Sequence, residues 1–202
     1  MKWAVGVTTA PRPLSTLGRT LESLRRAGFG RAEVFDDTAR RGAWPNWLAA
    51  LRALLEKDPA ADALLLCQDD AVFCRELRAH LGRTLWPGPD VALCSPYCPA
   101  PYRNATAGWH QQRRGWGLVG ALCWALPRRA AEAVLRDLGR VEAHSRIDAR
   151  VGRWAAETER TVWYHTPSLV QHVGNGNSAL GDRSTSPMRS ATDFIGEEAT
   201  PW

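Results

Sequence analysis

Short apolar runs alternate with amphipathic segments along the chain. The runs predicted as strands are 3–9, 31–37, 61–73, 89–99, 117–127 and 161–174, and the segments predicted as helices are 14–28, 44–58, 75–85, 127–140 and 147–160. Apolar positions in the first helical segment are spaced three or four residues apart, and a glycine follows them. This alternation of strands and helices predicts an α/β fold with a parallel sheet and right-handed crossovers.

Two segments lack this periodicity. Residues 101–117 are polar, aromatic and glycine-rich, which predicts a long active-site loop. From Asn175 onward the chain is rich in Gly, Ser, Asn, Thr and Pro, which predicts a loosely ordered tail. The sequence therefore predicts one domain at 1–174 and a C-terminal tail at 175–202.

Composition places the chain among globular proteins. It has 202 residues, of which 45% are hydrophobic and 23% charged, so it is long and apolar enough for a core and is not a disordered chain. The formal net charge is +5, and Lys2 and Lys57 are the only lysines. Arginine suits phosphate groups because its planar fork bonds two oxygens at once. This leaves two interpretations open, an anionic substrate or an ordinary solvated surface.

The cysteines and the N-terminus indicate the compartment. The 5 cysteines include no CxxC pair, and several lie in apolar runs, so we expect them to be small hydrophobic residues. The first residues lack the apolar region of a signal peptide, and no stretch approaches the ~20 apolar residues of a membrane span. The sequence therefore predicts a reduced, cytoplasmic protein without a membrane span.

Acidic residues stand where the third predicted strand should end. The stretch ADALLLCQDDAVF places Gln68, Asp69 and Asp70 after a buried-looking apolar run. A carboxylate is costly to bury unless it is paired or bound to a metal, and adjacent carboxylates repel each other. Either these acids point into water at a turn, or they hold a cation.

Three predicted strands end in polar or acidic residues of this kind. These residues are Thr8 and Thr9, Asp36 and Asp37, and Gln68, Asp69 and Asp70. Ligands of open α/β sheets bind beyond the carboxyl ends of the strands, so we expect these side chains to share one site. Oxygen ligands of this type suit a hard cation such as Mg²⁺ or Mn²⁺.

A series of short motifs occurs in order within about residues 3–175. They are VGVTTAPRP, VFDD, RGAWPNWLAALRALL, LLLCQDDAVF, a loop containing GWG, GALCWALPRRAAEAVL and an Asp-led helix. Their order resembles that of the GT-A glycosyltransferases, which transfer a sugar from a nucleoside diphosphate. The resemblance is to enzymes of the family 2 or family 25 type and to bacteriophage enzymes that modify DNA. It implies a GT-A, Rossmann-like fold with a mostly parallel sheet flanked by helices.

The resemblance also implies roles for individual residues. It places the donor nucleotide-sugar, UDP- or GDP-linked, against Thr8, Thr9, Arg12, Asp36, Asp37, Arg41, Asn46, Gln68, Asp69 and Trp116. It implies that Asp70 and His172 bind Mn²⁺ or Mg²⁺. Gln68 stands where the DxD motif of the family has its first acid. From the residues alone, His172 is more readily a structural histidine than a metal ligand, and it is the resemblance that puts the two interpretations on an equal footing.

The same resemblance implies the catalytic base. Asp148 lies in the first turn of a predicted helix, where the family has the general base of inverting enzymes; His144 is the second choice. An acid that only complements the helix dipole is the alternative. Trp109 and Trp116 either stack on a sugar or base or pack in the core. Arg113 and Arg114 either bind phosphate or lie in a solvated loop.

These observations predict a metal-dependent, inverting glycosyltransferase. Its acceptor is either a saccharide or a modified DNA base, and the tail at 175–202 is expected to cover the donor site. The alternatives are a nucleotidyltransferase, which also uses a carboxylate-bound metal, and a non-enzymatic nucleotide- or nucleic-acid-binding module. The last of these would explain the basic charge and the tryptophans but does not need acids at successive strand ends.

Overall fold

The computed structural model describes residues 1–112, 117–138, 146–174 and 190–202. The strands are β1 (Trp3–Thr9), β2 (Glu33–Asp36), β3 (Ala63–Gln68), β4 (Ala71–Phe73), β5 (Val91–Ser95), β6 (Gly108–Gln111), β7 (Cys123–Pro127), β8 (Thr161–Thr166) and β9 (Val170–His172). The α-helices are α1 (Leu17–Arg26), α2 (Ala43–Lys57), α3 (Leu77–Thr84), α4 (Arg128–Arg136) and α5 (Ile147–Glu157), and a single 3₁₀ turn spans Ala100–Tyr102.

The central sheet has seven strands within these described ranges, in the order β2-β1-β3-β7-β5-β8-β6. β1 is parallel to β2 and β3, and β5 is parallel to β8. β7 is antiparallel to both β3 and β5, so those two strands run the same way, and β6 is antiparallel to β8. The sheet is therefore mostly parallel, which confirms the predicted fold class.

Two strands of the sheet, β6 and β7, run antiparallel to their neighbours, and the sequence does not indicate the direction of either. β7 is buried along its whole length, and a strand that is buried on both faces is apolar at every position whichever way it runs. β6 lies inside residues 101–117, which the sequence predicts as loop. Its residues Gly108–Gln111 carry no run of apolar side chains, so the alternation that marks a strand is missing.

Hydrophobic layers cover both faces of the sheet, and β3 shows how the sequence builds them. Leu64 and Leu66 belong to the layer that contains α2, α4 and α5, whereas Leu65 and Cys67 belong to the layer that contains α1 and α3. Successive strand residues point to opposite faces, so a continuous apolar run serves both layers. All five cysteines of the chain are buried with free thiols, as expected of small hydrophobic residues.

The predicted third strand is two strands. The run 61–73 breaks after Gln68, and β4 leaves the central sheet to pair antiparallel with β9. Asp69 and Asp70 form the turn between β3 and β4, and the register sets Ala71 opposite His172. This second, two-stranded sheet is what brings the C-terminal histidine to the acidic turn.

The described end of the chain packs against the domain. Ala191 is buried, and Glu197 and Glu198 form ion pairs with Arg26 on α1. This differs from the predicted loose tail for residues 190–202, whereas 175–189 lie outside the described residues. The division into a domain and a covering tail stays a prediction. No helix within the described ranges is long and apolar enough to span a membrane.

Candidate active site

Two buried aspartates share one arginine at the carboxyl end of β3. Asp69 is 1% exposed and Asp70 is 5% exposed. Arg12, in the loop after β1, donates from Nη1 to Oδ2 of Asp70 at 3.1 Å and from Nη2 to Oδ1 of Asp69. Thr9 Oγ1 donates to Oδ2 of Asp69 at 2.6 Å, and Thr20 Oγ1 donates to the Asp69 carbonyl at 2.7 Å. Both carboxylates are therefore shielded from water, and the same guanidinium is bonded to each of them.

The two carboxyl groups differ in their pKa. Burial raises the pKa of Asp69, and the hydrogen bond from Thr9 and the charge of Arg12 only partly offset it. Burial is also the largest influence on Asp70, but His172 and Arg12 outweigh it and hold the Asp70 pKa below its usual value. Asp70 is therefore the carboxylate of the pair that stays ionised more readily.

Asp70 has one oxygen without a protein partner. Its Oδ1 is buried and accepts no hydrogen bond from any residue that the structure describes. Its Oδ2 lies 3.2 Å from Nε2 of His172. The backbone of Gly174 also passes close by, since a Cβ added there would lie 2.4 Å from Oδ2. A buried carboxylate oxygen left unpaired is costly, which suggests that a ligand completes this site.

These residues suit a divalent cation that is shared with a substrate. No cluster of three or more His, Cys, Asp or Glu side chains that could hold a metal occurs within the described ranges. Asp70 and His172 nevertheless offer an oxygen and a nitrogen at one point. Mg²⁺ is commonly held by one or two carboxylates together with water and substrate phosphates rather than by a cage of protein ligands. The donor set fits such a shared ion.

At the end of β2, the predicted donor residues divide into two groups. Asp37 is buried and accepts hydrogen bonds from the backbone N–H groups of Arg41 at 2.9 Å and Gly42 at 2.7 Å. Burial raises the Asp37 pKa, but these bonds outweigh it, so the pKa is lowered. Asn46 is also buried, and its amide donates to the carbonyls of Thr9 and Phe35. Through these contacts, Asp37 and Asn46 hold the segment between β2 and α2 in place.

The other predicted residues differ in exposure and in their contacts, and the guanidinium of Arg41 lies 3.5 Å from Oδ1 of Asp37. Asp36 and Arg41 are exposed beside the end of β1, which pairs with β2 up to Thr9 and Asp36. Thr8 donates from Oγ1 to the Cys67 carbonyl and so ties β1 to β3. Gln68 is half-buried as the last residue of β3. Asp36 and Arg41 are therefore the members of this group that face solvent at the carboxyl edge.

Asp148 lies in the first turn of α5, where the sequence predicts a helix. Its Oδ1 accepts from the Ala149 N–H at 2.9 Å, and its Oδ2 accepts from the Gly120 N–H at 3.4 Å. The same segment reaches the acidic site, because the Leu122 carbonyl accepts from the Gln68 N–H at 2.8 Å. Residues 117–122 therefore connect the Asp148 carboxylate to the end of β3.

A contact between α5 and α2 was not predicted from the sequence. The guanidinium of Arg150 lies over the ring of Trp44 at 4.9 Å, which joins α5 to the first turn of α2. Nε1 of Trp44 and Nε of Arg150 are buried, with no hydrogen-bond partner among the residues described. Arg150 follows Asp148 by two residues, and only that proximity could have drawn attention to it.

One of the two interpretations of Trp109 is wrong, and several predicted residues lie outside the described ranges. Trp109 is not an exposed indole, because its Nε1 donates to Thr84 Oγ1 at 3.0 Å and its ring packs edge-on against His165. Core packing, the alternative interpretation, is the correct one. Trp116, Arg113, Arg114 and His144 lie outside the described residues.

Comparisons with known proteins identify the fold. No protein-family model and no curated protein matches the sequence. The crystal structure of A197 from STIV is 15% identical, with 98% of each chain covered and a TM-score of 0.53. The crystal structure of a glycosyltransferase involved in glycosylation of the major capsid of PBCV-1 is 12% identical, covers 81% of this chain and 82% of that chain, and has a TM-score of 0.50.

A third solved structure is more distant. The inositol-1-phosphate CTP transferase from T. maritima is 12% identical, with 83% of this chain and 71% of that chain covered, and its TM-score of 0.38 is too low to carry an argument. At such identities, a likeness describes the backbone and not the chemistry. The chain has a glycosyltransferase-like Rossmann fold.

Proposed function

We propose that the protein is a glycosyltransferase that moves a sugar from a nucleoside diphosphate to a hydroxyl acceptor. The observation that carries this proposal is the buried pair Asp69 and Asp70, which Arg12 bonds on one side and His172 adjoins on the other. The pair lies at the carboxyl edge of the parallel strands, where open α/β sheets bind ligands. Fold alone does not fix function, so the proposal depends on this site.

In this proposal the donor lies across the ends of β1, β2 and β3. Its diphosphate is placed beside Arg12 and Asp70, because a guanidinium bonds phosphate oxygens in pairs. Its nucleoside points toward the exposed side chains of Asp36 and Arg41. When bound by Asp70 and His172, Mn²⁺ or Mg²⁺ supplies positive charge that stabilises the departing diphosphate.

Asp148 is the proposed general base. The acceptor oxygen bonds to the anomeric carbon as the bond from that carbon to the diphosphate oxygen breaks, and the acceptor proton passes to an Asp148 carboxylate oxygen. The Ala149 and Gly120 N–H groups support this carboxylate and hold its orientation. Attack from the face opposite the leaving group inverts the anomeric configuration.

The test is a transfer assay with two kinds of donor. The protein is incubated with Mn²⁺, UDP- and GDP-sugars and a mixture of methyl glycosides, and release of UDP or GDP is measured together with new glycosides. We expect Asp70→Asn to abolish this release. The matched control is Asp90→Asn, which removes a carboxylate from the residue before β5, at the opposite end of the sheet. It should leave the rate unchanged.

A parallel reaction examines the enzymatic alternative. Nucleoside triphosphates and sugar phosphates replace the nucleotide-sugars, and pyrophosphate is measured. Pyrophosphate release with no release of UDP or GDP from any nucleotide-sugar would assign the acidic site to nucleotidyl transfer and overturn the proposal.

A further inference from the structure

A pocket lies on the side of the sheet edge that carries β6 and β8. It has a volume of about 270 Å³. Its lining consists of Pro101, Tyr102, Arg103, Asn104, Ala105, His110, Gln111, Gln112 and Tyr164. Small-molecule sites usually measure roughly 300–1,000 Å³, so this pocket fits one small ring rather than an extended ligand. None of the roles proposed above involves these residues.

Aromatic rings form one side of the pocket. Tyr102 and Tyr164 have ring centroids 4.8 Å apart, and the His110 ring stacks on Tyr164 at 6.3 Å. Contacts with the backbone fix the rings, because Nε2 of His110 lies 2.8 Å from the Tyr102 carbonyl and the Tyr102 hydroxyl donates to the Gly117 carbonyl. Rings held in this way present flat apolar surface at little cost in side-chain entropy.

The rest of the lining is polar. Asn104, Gln111 and Gln112 have amides that both donate and accept hydrogen bonds, and Arg103 adds a planar group of donors. No carboxylate is present among the described lining residues. An apolar face combined with amide and guanidinium groups matches a sugar ring, whose C–H face packs on aromatic rings and whose hydroxyls donate and accept.

The pocket adjoins the proposed base. The Tyr164 hydroxyl accepts from the Val119 N–H at 3.1 Å and donates to the Val119 carbonyl at 3.0 Å, while the next N–H, of Gly120, donates to Asp148. After burial, the Asp148 charge is the next cause that raises the pKa of Tyr102. The negative charge of Asp148, which also lies 3.5 Å from Nε of Arg146, is therefore near the pocket.

We propose that this pocket binds one neutral, hexose-sized saccharide unit of the acceptor. This inference rests on the proposed function and names its acceptor class. The Tyr102 ring stacks on the sugar, the amides of Gln111 and Gln112 bond its hydroxyls, and the position beside Asp148 allows an acceptor hydroxyl to reach the base. Of the two acceptors considered from the sequence, the small size of the pocket and its amides favour a saccharide over a DNA base.

The experiment is saturation-transfer NMR with the methyl glycosides of glucose, galactose and mannose, without any nucleotide. We expect saturation of at least one glycoside. Tyr102→Ala should weaken its binding about tenfold, the scale of one lost aromatic contact. Tyr102→Phe keeps the ring and should retain binding. Arg25→Ala, on the exposed face of α1 and paired with Glu22, is the matched control and should bind normally.

A second variant keeps the test decisive if Tyr102→Ala does not fold. Gln111 is exposed at the end of edge strand β6, and Gln111→Trp fills the pocket with a residue that strands accept. It should abolish saturation even if Tyr102→Ala does not fold. The proposal is overturned if no glycoside is saturated, if Gln111→Trp leaves saturation intact, or if only a single-stranded oligodeoxynucleotide binds. Because no donor is present, these results are independent of whether UDP or GDP binds at Asp70.

Discussion

Two aspartate pairs, Asp36–Asp37 and Asp69–Asp70, look alike in sequence and stand at the ends of β2 and β3, the two strands that flank β1 in the sheet. In the first pair, Asp36 is exposed and Asp37 is bonded by backbone N–H groups of its own loop. In the second pair, both acids are buried and bonded by the side chain of Arg12. A carboxylate bonded by nearby backbone stabilises a loop, whereas one bonded by a distant side chain can exchange that partner for a ligand. In the first pair, Asp37 therefore holds its own loop while Asp36 faces solvent, whereas in the second pair both acids depend on one side chain.

Removal of Arg12 should have the largest effect on stability. Arg12→Ala leaves two buried carboxylates without their cation, and losing one partner of a buried ion pair costs about 3–5 kcal/mol. Chemical denaturation at neutral pH measures this loss. Mn²⁺ should restore more stability to Arg12→Ala than to the unmodified protein, because the ion no longer competes with the guanidinium. An Arg12→Ala protein as stable as the parent would mean that the Asp69–Asp70 pair does not depend on this cation.

Substitution of Asp148 should have the largest effect on transfer. Asp148→Asn keeps the size of the side chain and can still accept from the Gly120 N–H, but it cannot take up the acceptor proton. The transfer rate should fall by ~10²-fold or more, whereas UDP or GDP affinity should not change. Rates and nucleotide affinities are measured on the same preparation. Full activity in Asp148→Asn, or a product with retained configuration, would place the base elsewhere.

Within the first pair, Asp37 should matter for stability and Asp36 for the donor. Asp37→Ala leaves two loop N–H groups without their acceptor and should cost about 1–3 kcal/mol. Asp36→Ala removes an exposed carboxylate and should change stability by less than about 0.5 kcal/mol, while it weakens nucleotide binding. Thermal unfolding and nucleotide titration of both variants test the division. Equal stability of the two variants would contradict it.

The smallest expected effect is on the pH dependence of stability, to which Asp37 and Asp69 should contribute with opposite signs. The Asp37 pKa is lowered on folding, so its contribution to stability is present above the unfolded pKa and is lost as the pH falls through the folded value. The Asp69 pKa is raised, so Asp69 favours the folded state at low pH and loses this contribution as the pH rises through the folded value.

Urea unfolding of Asp37→Asn and Asp69→Asn, from acidic to neutral pH, measures these two contributions to stability. Relative to the parent, Asp37→Asn should lose more stability near neutrality than in acid, and Asp69→Asn should show the reverse trend. Parallel curves for the two variants would show that burial and pairing do not distinguish these acids.

Much of the fold could be predicted, because the apolar runs and helical spacings mark most elements directly. The acidic turn at Asp69–Asp70 was also predictable, since acids at the end of a buried run are unusual. The direction of β7 was not predictable, because apolar runs look the same in either orientation. Nor was the pairing of Arg12 with Asp69, which joins residues 57 positions apart and depends on β1 lying beside β3.

The roles within the site were harder to predict than its location. The sequence does not reveal that Asp37 and Asn46 bond backbone groups, because the turn between β2 and α2 decides which side chain faces inward. The environment of the Trp109 indole was ambiguous because the sequence does not reveal β6, the strand that carries it. The pocket beside Tyr164 depends on β6 pairing with β8, and that strand has no apolar pattern.

The most direct test of the proposed site is calorimetric titration of UDP and GDP with Mn²⁺ and with EDTA. We predict that one nucleotide binds in Mn²⁺, that EDTA abolishes this binding, and that Asp70→Asn abolishes it while Asp90→Asn does not. Equal affinity in Mn²⁺ and in EDTA, or undiminished binding to Asp70→Asn, would contradict a cation shared between Asp70 and the donor diphosphate.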